Sequence, residues 1–188
     1  MSQTEVITLT KQINKDARKL EPVICGVRCI KLTIQGSDIM KIRAFVFDDN
    51  KQVREIISEL LKSKGYEVYS FSEPGICPIL LNQNCPCPLE HVCTDFIITD
   101  LNMPNMTGLE LIKNQKDYGC KTEHIAILSG AWSESELKVA KDLNCKTFNK
   151  PMQVQELYSW LDECEKKMNP DRILSDWFKD QKEIKSFT

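Results

Sequence analysis

Four apolar runs in this chain each stop at a polar group: Ile42-Arg-Ala-Phe-Val-Phe47 at Asp48-Asp49, Phe96-Ile-Ile-Thr99 at Asp100, Ala126-Ile-Leu128 at Ser129, and Cys145-Lys-Thr-Phe-Asn149 at Lys150-Pro151. Short apolar runs of this kind read as strands buried on both faces of a parallel sheet. The segments between them carry helical spacing. Val53, Ile56, Ile57, Leu60 and Leu61 fall at i, i+3, i+4, i+7 and i+8, making an apolar stripe that ends before Gly65. Thr107-Gly-Leu-Glu110 and Ser133-Glu-Ser-Glu136 have the capping-box pattern, and Val154, Leu157, Leu161 and Cys164 mark a last helix. Strands near 41–47, 67–71, 95–99, 124–128 and 146–149 alternating with helices predict an α/β fold with right-handed crossovers and a five-stranded parallel sheet.

Ligands of open parallel sheets bind outside the carboxyl ends of the strands, where every polar group of interest here is expected. Asp48 and Asp49 suit Mg2+, which is bound through one or two carboxylates plus substrate phosphate. Asp100 at a strand tip can attack in line to form an acyl phosphate, and Ser129 and Lys150 would contact the phosphoryl oxygens. Acids after strands also serve as helix N-caps, so any single one is a weak signal. An acid pair, an acid, a hydroxyl and a lysine at four successive strand ends are harder to explain as caps.

These residues resemble the response regulator receiver domain of two-component signalling from about Lys41 to Met168. The motifs are Asp48-Asp49, Ile98-Thr-Asp100 with Met103-Pro104 and Gly108, Leu128-Ser129-Gly130, and Phe148-Asn-Lys150-Pro151. The resemblance implies a flavodoxin-like doubly wound sheet of strand order 2-1-3-4-5. It implies that a histidine kinase, a phosphotransfer protein or a small acyl phosphate donates phosphate to Asp100 with Mg2+ bound. Asp48, Asp49, Asp100 and the backbone carbonyl of Asn102 would hold that ion, Ser129 would hydrogen-bond the phosphoryl group, and Lys150 would pair with it, across a peptide to Pro151 that can be cis. It further implies output by protein contact through the fourth helix, fifth strand and fifth helix. Many family members have an aromatic residue three positions before the lysine, where this chain has Thr147.

The second departure is the run from Cys77 to Cys93, where a second helix is expected. It holds Cys77, Cys85, Cys87, Cys93 and His91 among prolines. Four thiols and an imidazole are soft donors suited to Zn2+, and an iron-sulfur cluster is chemically possible. The C-x7-C-x-C-x5-C spacing matches neither the paired C-x2-C zinc pattern nor the ferredoxin run. The alternatives are reduced thiols packed as small hydrophobes, or disulfides, which a cytosolic location disfavours. Cys120, Cys145 and Cys164 read as packing residues.

Of 188 residues, 41% are hydrophobic, enough for one domain with extensions: 1–39 an N-terminal extension, 40–168 the receiver-like domain with an insertion at 74–94, and 169–188 a helical tail. Met40 falls where such a domain begins, so one reading makes it the true start and the preceding stretch a misassigned leader; otherwise Cys25 and Cys29 could add to a metal site, although C-x3-C alone is a weak signal. Pro170 ends the last helix, and Asp171 can cap a short one carrying Ile173, Leu174, Trp177 and Phe178. Fewer than twenty residues follow Pro170, which predicts a stand-alone receiver without an output domain. No apolar run approaches the ~20 residues of a membrane helix, no secretory signal is present, and a net charge of −2 gives no general attraction for nucleic acid, so a cytoplasmic protein without direct membrane or nucleic-acid contact is expected.

Two other readings remain. Haloacid dehalogenase-type phosphatases also use a strand-end Asp, a Ser or Thr, a Lys and Mg2+, but they need Asp-x-Asp where this chain has Asp48-Asp49-Asn50, and that scheme leaves Asp100 without a role. The other is a metal or redox sensor in which the cysteine run is the input and the fold a scaffold.

Overall fold

Residues 40–76 and 84–179 are described in the computed structural model of this chain. Residues 1–39, with Cys25 and Cys29, lie outside the described part, as do Cys77 and the end of the tail. Seven strands and four α-helices follow in order among the described residues: β1 (Arg43–Phe47), α1 (Lys51–Ser63), β2 (Glu67–Phe71), β3 (His91–Val92), β4 (Phe96–Asp100), α2 (Gly108–Asp117), β5 (His124–Ser129), α3 (Glu134–Asp142), β6 (Lys146–Asn149), α4 (Val154–Glu165) and β7 (Ile173–Leu174). The main sheet is parallel throughout with order β2-β1-β4-β5-β6, which is 2-1-3-4-5 once the two-residue β3 is set aside.

Every residue of β1 and β4 is buried, as central parallel strands require. Their side chains alternate between two cores. Ala44, Val46, Phe96 and Ile98 face Ile57 and Leu61 of α1 and Leu157 and Leu161 of α4. Phe45, Phe47 and Ile97 face Leu111 and Ile112 of α2. Each such side chain contributes roughly 1.5–3 kcal/mol when withdrawn from water. The α1 stripe is narrower than its spacing predicts: Ile57 and Leu61 are buried, but Ile56 is 61% exposed.

Both capping boxes form. Thr107 Oγ1 accepts from the Glu110 amide and Ser133 Oγ from the Glu136 amide, while each glutamate reaches back to the cap residue.

The crossover from β2 to β4 differs from the regular pattern. Among the described residues it contains a 3-10 turn at Pro74–Ile76 and the short β3, and no α-helix. The face that a helix would cover is closed from the other end of the chain. The tail is not the expected helix: Ile173 and Leu174 form β7, paired in parallel with His91 and Val92, followed by a turn. This strand places Phe178, fully buried, edge-on to Phe45 at 5.3 Å and Tyr69 at 5.2 Å. The reading that the tail packs back on the domain is therefore right in position and wrong in conformation.

Arg43 fixes this closure. It sits on β1 with no exposed surface, donating from Nε to Glu67 at 2.6 Å and from Nη1 to the carbonyls of Cys93 and Ser175 at 3.0 and 2.7 Å, and pairing through Nη2 with Asp176. At the same end, buried Asp95 accepts from the Arg43 amide and pairs with Arg172.

Candidate functional site

At the carboxyl edge of the sheet, β1 ends in Asp48, β4 in Asp100, β5 in Ser129, and the turn after β6 in Lys150. Of the expected groups, the structure brings Asp48, Asp100 and Lys150 together. Lys150 Nζ lies 2.7 Å from Asp48 Oδ2 and 2.6 Å from Asp100 Oδ1, bridging the two carboxylates. Asp48 is 1% exposed and Asp100 6%, whereas Asp49 points to solvent. The second oxygen of Asp48 accepts from the Asn50 amide at 2.9 Å, and Asp100 Oδ2 accepts from the Asn102 amide at 3.1 Å. Both oxygens of each carboxylate are thus engaged, and both side chains are almost fully buried.

Backbone contacts hold these strand ends together. Leu101 N–H donates to Leu128 O at 2.7 Å, Lys150 N–H to Ser129 O at 2.7 Å, and Arg54 Nη1 to Asp48 O at 2.5 Å. The Lys150-Pro151 peptide is cis. Asn50 caps α1, accepting from the amides of Gln52 and Val53, so the residue after the acid pair is structural. Gly108 opens α2 against the same edge. A Cβ there would stand 2.3 Å from the Asp100 carbonyl oxygen, so only glycine lets the helix approach the strand tip.

Burial pushes the Asp48 carboxyl above its ordinary pKa, against the hydrogen bond and charge of Lys150, and the Asp100 charge adds to the rise. Lys150 loses hydration, which favours its neutral form, but Asp100 and Asp48 outweigh that loss and raise its pKa. The edge thus concentrates negative charge with one ammonium between two carboxylates. An exposed carboxylate, Asp49, next to the buried Asp48, and a strand-tip carboxylate, Asp100, are oxygen donors of the type a divalent cation takes, although no three side chains among the described residues are spaced to hold one as they stand.

Ser129 is fully buried, and its hydroxyl donates to the Ala131 carbonyl at 2.5 Å while accepting from the Ala131 amide. It is at the expected strand end but turned into its own loop. Thr147 is half-buried on β6, and Trp132 donates from Nε1 to the Phe148 carbonyl at 3.2 Å beside it. The acid-pair motif gave no sign of Arg54 or Asn50, although a polar residue just before a helical stripe is an N-cap signal.

The cysteine run is only partly as expected. Among the described residues no three His, Cys, Asp or Glu side chains are spaced to hold a metal ion as they stand. Cys87 and Cys93 are buried in the second core with Cys85 packed against them, and all are free thiols. Cys120 is half-buried, its thiol donating to Thr122 Oγ1 at 3.4 Å. Cys145 packs against that same core, and Cys164 is buried in the other.

No helix among the described residues is long and apolar enough to cross a membrane. The sequence matches the response regulator receiver domain family over residues 44–162. It is 28% identical over 126 residues to a probable transcriptional regulatory protein of Picosynechococcus, covering 66% of this chain and 49% of that one. It is 29% identical over 73 residues to the chemotaxis protein CheY-3 of Vibrio cholerae, covering 39% of this chain and 51% of the relative. The chain thus spans about half the length of these relatives. Among solved structures it resembles Vibrio cholerae CheY4, with a TM-score of 0.52, 25% identity and coverage of 66% and 98%. The receiver domain of Francisella response regulator 1452 shares the fold at a TM-score of 0.57, with 22% identity and coverage of 69% and 100%.

Proposed function

Because the chain belongs to the response regulator receiver domain family, we propose that Asp100 accepts a phosphoryl group from the phosphohistidine of a histidine kinase or phosphotransfer protein, or from a small acyl phosphate. An Asp100 carboxylate oxygen attacks phosphorus, the O–P bond forms as the donor's N–P or O–P bond breaks, and the imidazole or acid leaves. The observation that carries this reading is Asp100 at the tip of β4, bridged to Asp48 by Lys150.

Lys150 holds the nucleophile in place and carries positive charge against the incoming phosphoryl oxygens. Mg2+ held by Asp48, Asp49, Asp100 and the Asn102 carbonyl would neutralise charge on the transferring group. Ser129 reaches a phosphoryl group only by giving up its bond to Ala131. That rotation is the event that couples Asp100 to the loop before α3. Leu137 and Val139 on α3 are each 42% exposed, apolar side chains on two sides of the helix that a downstream protein can read once the loop moves. The protein works in the cytoplasm, contacts neither membrane nor nucleic acid directly, and does no chemistry beyond phosphorylation and dephosphorylation of its own Asp100.

The test is the intact mass after incubation with Mg2+ and a small acyl phosphate. One phosphoryl addition, absent in Asp100→Asn, is expected. Equal addition to the variant would refute the assignment.

A further inference from the structure

Among the four helices, α3 has the least to hold it. Only Ala140 of its nine residues is buried, whereas α1, α2 and α4 each bury three or four. An element that withdraws so little apolar surface from water shifts at the lowest cost. Its hold on the sheet comes from its two ends. After its last turn, Lys116 Nζ donates to the Leu143 carbonyl at 2.6 Å, and Leu143 and Cys145 pack against the core that holds Ile127. Before its first turn, Trp132 packs half-buried against that same core, and its Nε1–H donates to the Phe148 carbonyl of β6 at 3.2 Å.

The loop that Trp132 closes begins at Ser129. Only Gly130 and Ala131 lie between them, and both are exposed. Ser129 is fixed on its other side, paired with Asn149 and accepting at its carbonyl from Lys150 N–H at 2.7 Å. Its hydroxyl donates to Ala131 O at 2.5 Å and accepts from Ala131 N–H at 3.2 Å. Ala131 is one peptide unit from Trp132, so the indole bond to β6 keeps Ala131 within reach of the hydroxyl. A serine has one O–H to donate. A bond to Ala131 and a bond to a phosphoryl oxygen on Asp100 therefore exclude each other, and whatever steadies the first opposes the second.

We propose that Trp132 is a positioning residue for Ser129: its indole bond to the Phe148 carbonyl latches the hydroxyl in its own loop and the start of α3 to β6, and the latch opens when Ser129 turns to phosphorylated Asp100. This rests on Asp100 as the phosphoacceptor. Coupling of this kind is reciprocal. Phosphorylation loosens the first turn of α3, and loss of the indole N–H favours the phosphorylated form. A Cβ on Gly130 would meet no atom within 4 Å, so the loop has room to rearrange, and the amide and carbonyl of exposed Ala131 turn to water when the hydroxyl leaves.

The full chain is treated with Mg2+ and a small acyl phosphate, and the phosphorylated share is read by intact mass. At a donor concentration that modifies a small share of the unaltered chain, Trp132→Phe, which keeps a ring but lacks the N–H, should raise that share about three- to tenfold, the factor that one net hydrogen bond supplies. The gain should vanish when Trp132→Phe/Ser129→Ala is set against Ser129→Ala alone, which a merely structural role for the indole would not require. In the unaltered chain, amide hydrogen exchange in peptides covering 131–137 should quicken on phosphorylation. An unchanged share in Trp132→Phe, an equal gain without Ser129, or unaltered exchange across 131–137 in phosphorylated protein would each overturn the latch while leaving Asp100 as the acceptor. No phosphoryl addition to the unaltered chain would overturn both. The exchange measurement needs no substitution and keeps the test decisive if Trp132→Phe does not fold.

Discussion

Replacing Arg43 by methionine should be among the most damaging single changes outside the phosphorylation site. Methionine keeps the length and apolar stem, so the loss is that of the guanidinium. The carbonyls of Cys93 and Ser175 then lose their donor in a buried setting, at about 1–3 kcal/mol each. Stacking of the cation over Phe178 at 5.1 Å and Tyr69 at 5.9 Å is lost as well, up to about 2 kcal/mol where the charge is desolvated. The acids lose less: Glu67 keeps Lys41 and Lys179, and Asp176, more than half exposed, keeps Lys179 and water. A loss of about 3–5 kcal/mol is a large part of a typical domain's 5–15 kcal/mol. With a urea slope of roughly 1–3 kcal/mol per molar, the midpoint should fall by about 2 M. Lys41→Met is the matched control, since its side chain is 57% exposed and its pair with Glu67 is worth under about 1 kcal/mol. Urea unfolding followed by tryptophan fluorescence decides the matter. If Arg43→Met unfolds within about 1 kcal/mol of the wild type, or no earlier than Lys41→Met, the guanidinium does not hold the tail.

Three more outcomes follow from the same contacts. Gly108→Ala forces α2 away from the Asp100 carbonyl and should destabilise by about 1–3 kcal/mol by thermal unfolding while slowing phosphorylation, and unchanged values on both counts would contradict the close approach. Thr107→Ala removes the side-chain half of a capping box, for a loss of about 1 kcal/mol in the same assay, with no loss if the cap is redundant. Glu67 loses hydration, which raises its pKa, but Lys179, Arg43 and Lys41 prevail and hold it at about 2 against an ordinary 4.5. A depressed carboxyl stabilises the fold above its unfolded pKa, and that share is lost as pH falls from 4.5 towards 2. Glu67→Gln should therefore flatten this acid limb by about 1–2 kcal/mol, allowing for solvent screening, and an unchanged limb would exclude the network as its source.

The sheet and the acidic edge were legible because they rest on local signals. Strand-end acids, capping boxes and apolar stripes each report within a few residues, and the order of Asp48, Asp100, Ser129 and Lys150 along the chain carried their convergence. What escaped depends on pairings far apart in sequence. Ile173, Leu174, Trp177 and Phe178 fit helical spacing, and only pairing with His91 and Val92 makes the first two a strand, a case in which tertiary context overrides propensity. Arg43 passed without remark inside an apolar run because its partners, from Glu67 to Asp176, lie on three other segments. The buried orientation of Ser129 follows from a two-residue loop turn that residue identity does not encode.

The central claim is that phosphate resides on Asp100, and the most direct measurement converts the modified residue chemically. Borohydride reduction of the phosphorylated protein turns an aspartyl phosphate into the corresponding alcohol, which peptide mass spectrometry can place. Homoserine at position 100 alone is the predicted result. Homoserine at 48 or 49, or none at any position after phosphate uptake, would contradict the account.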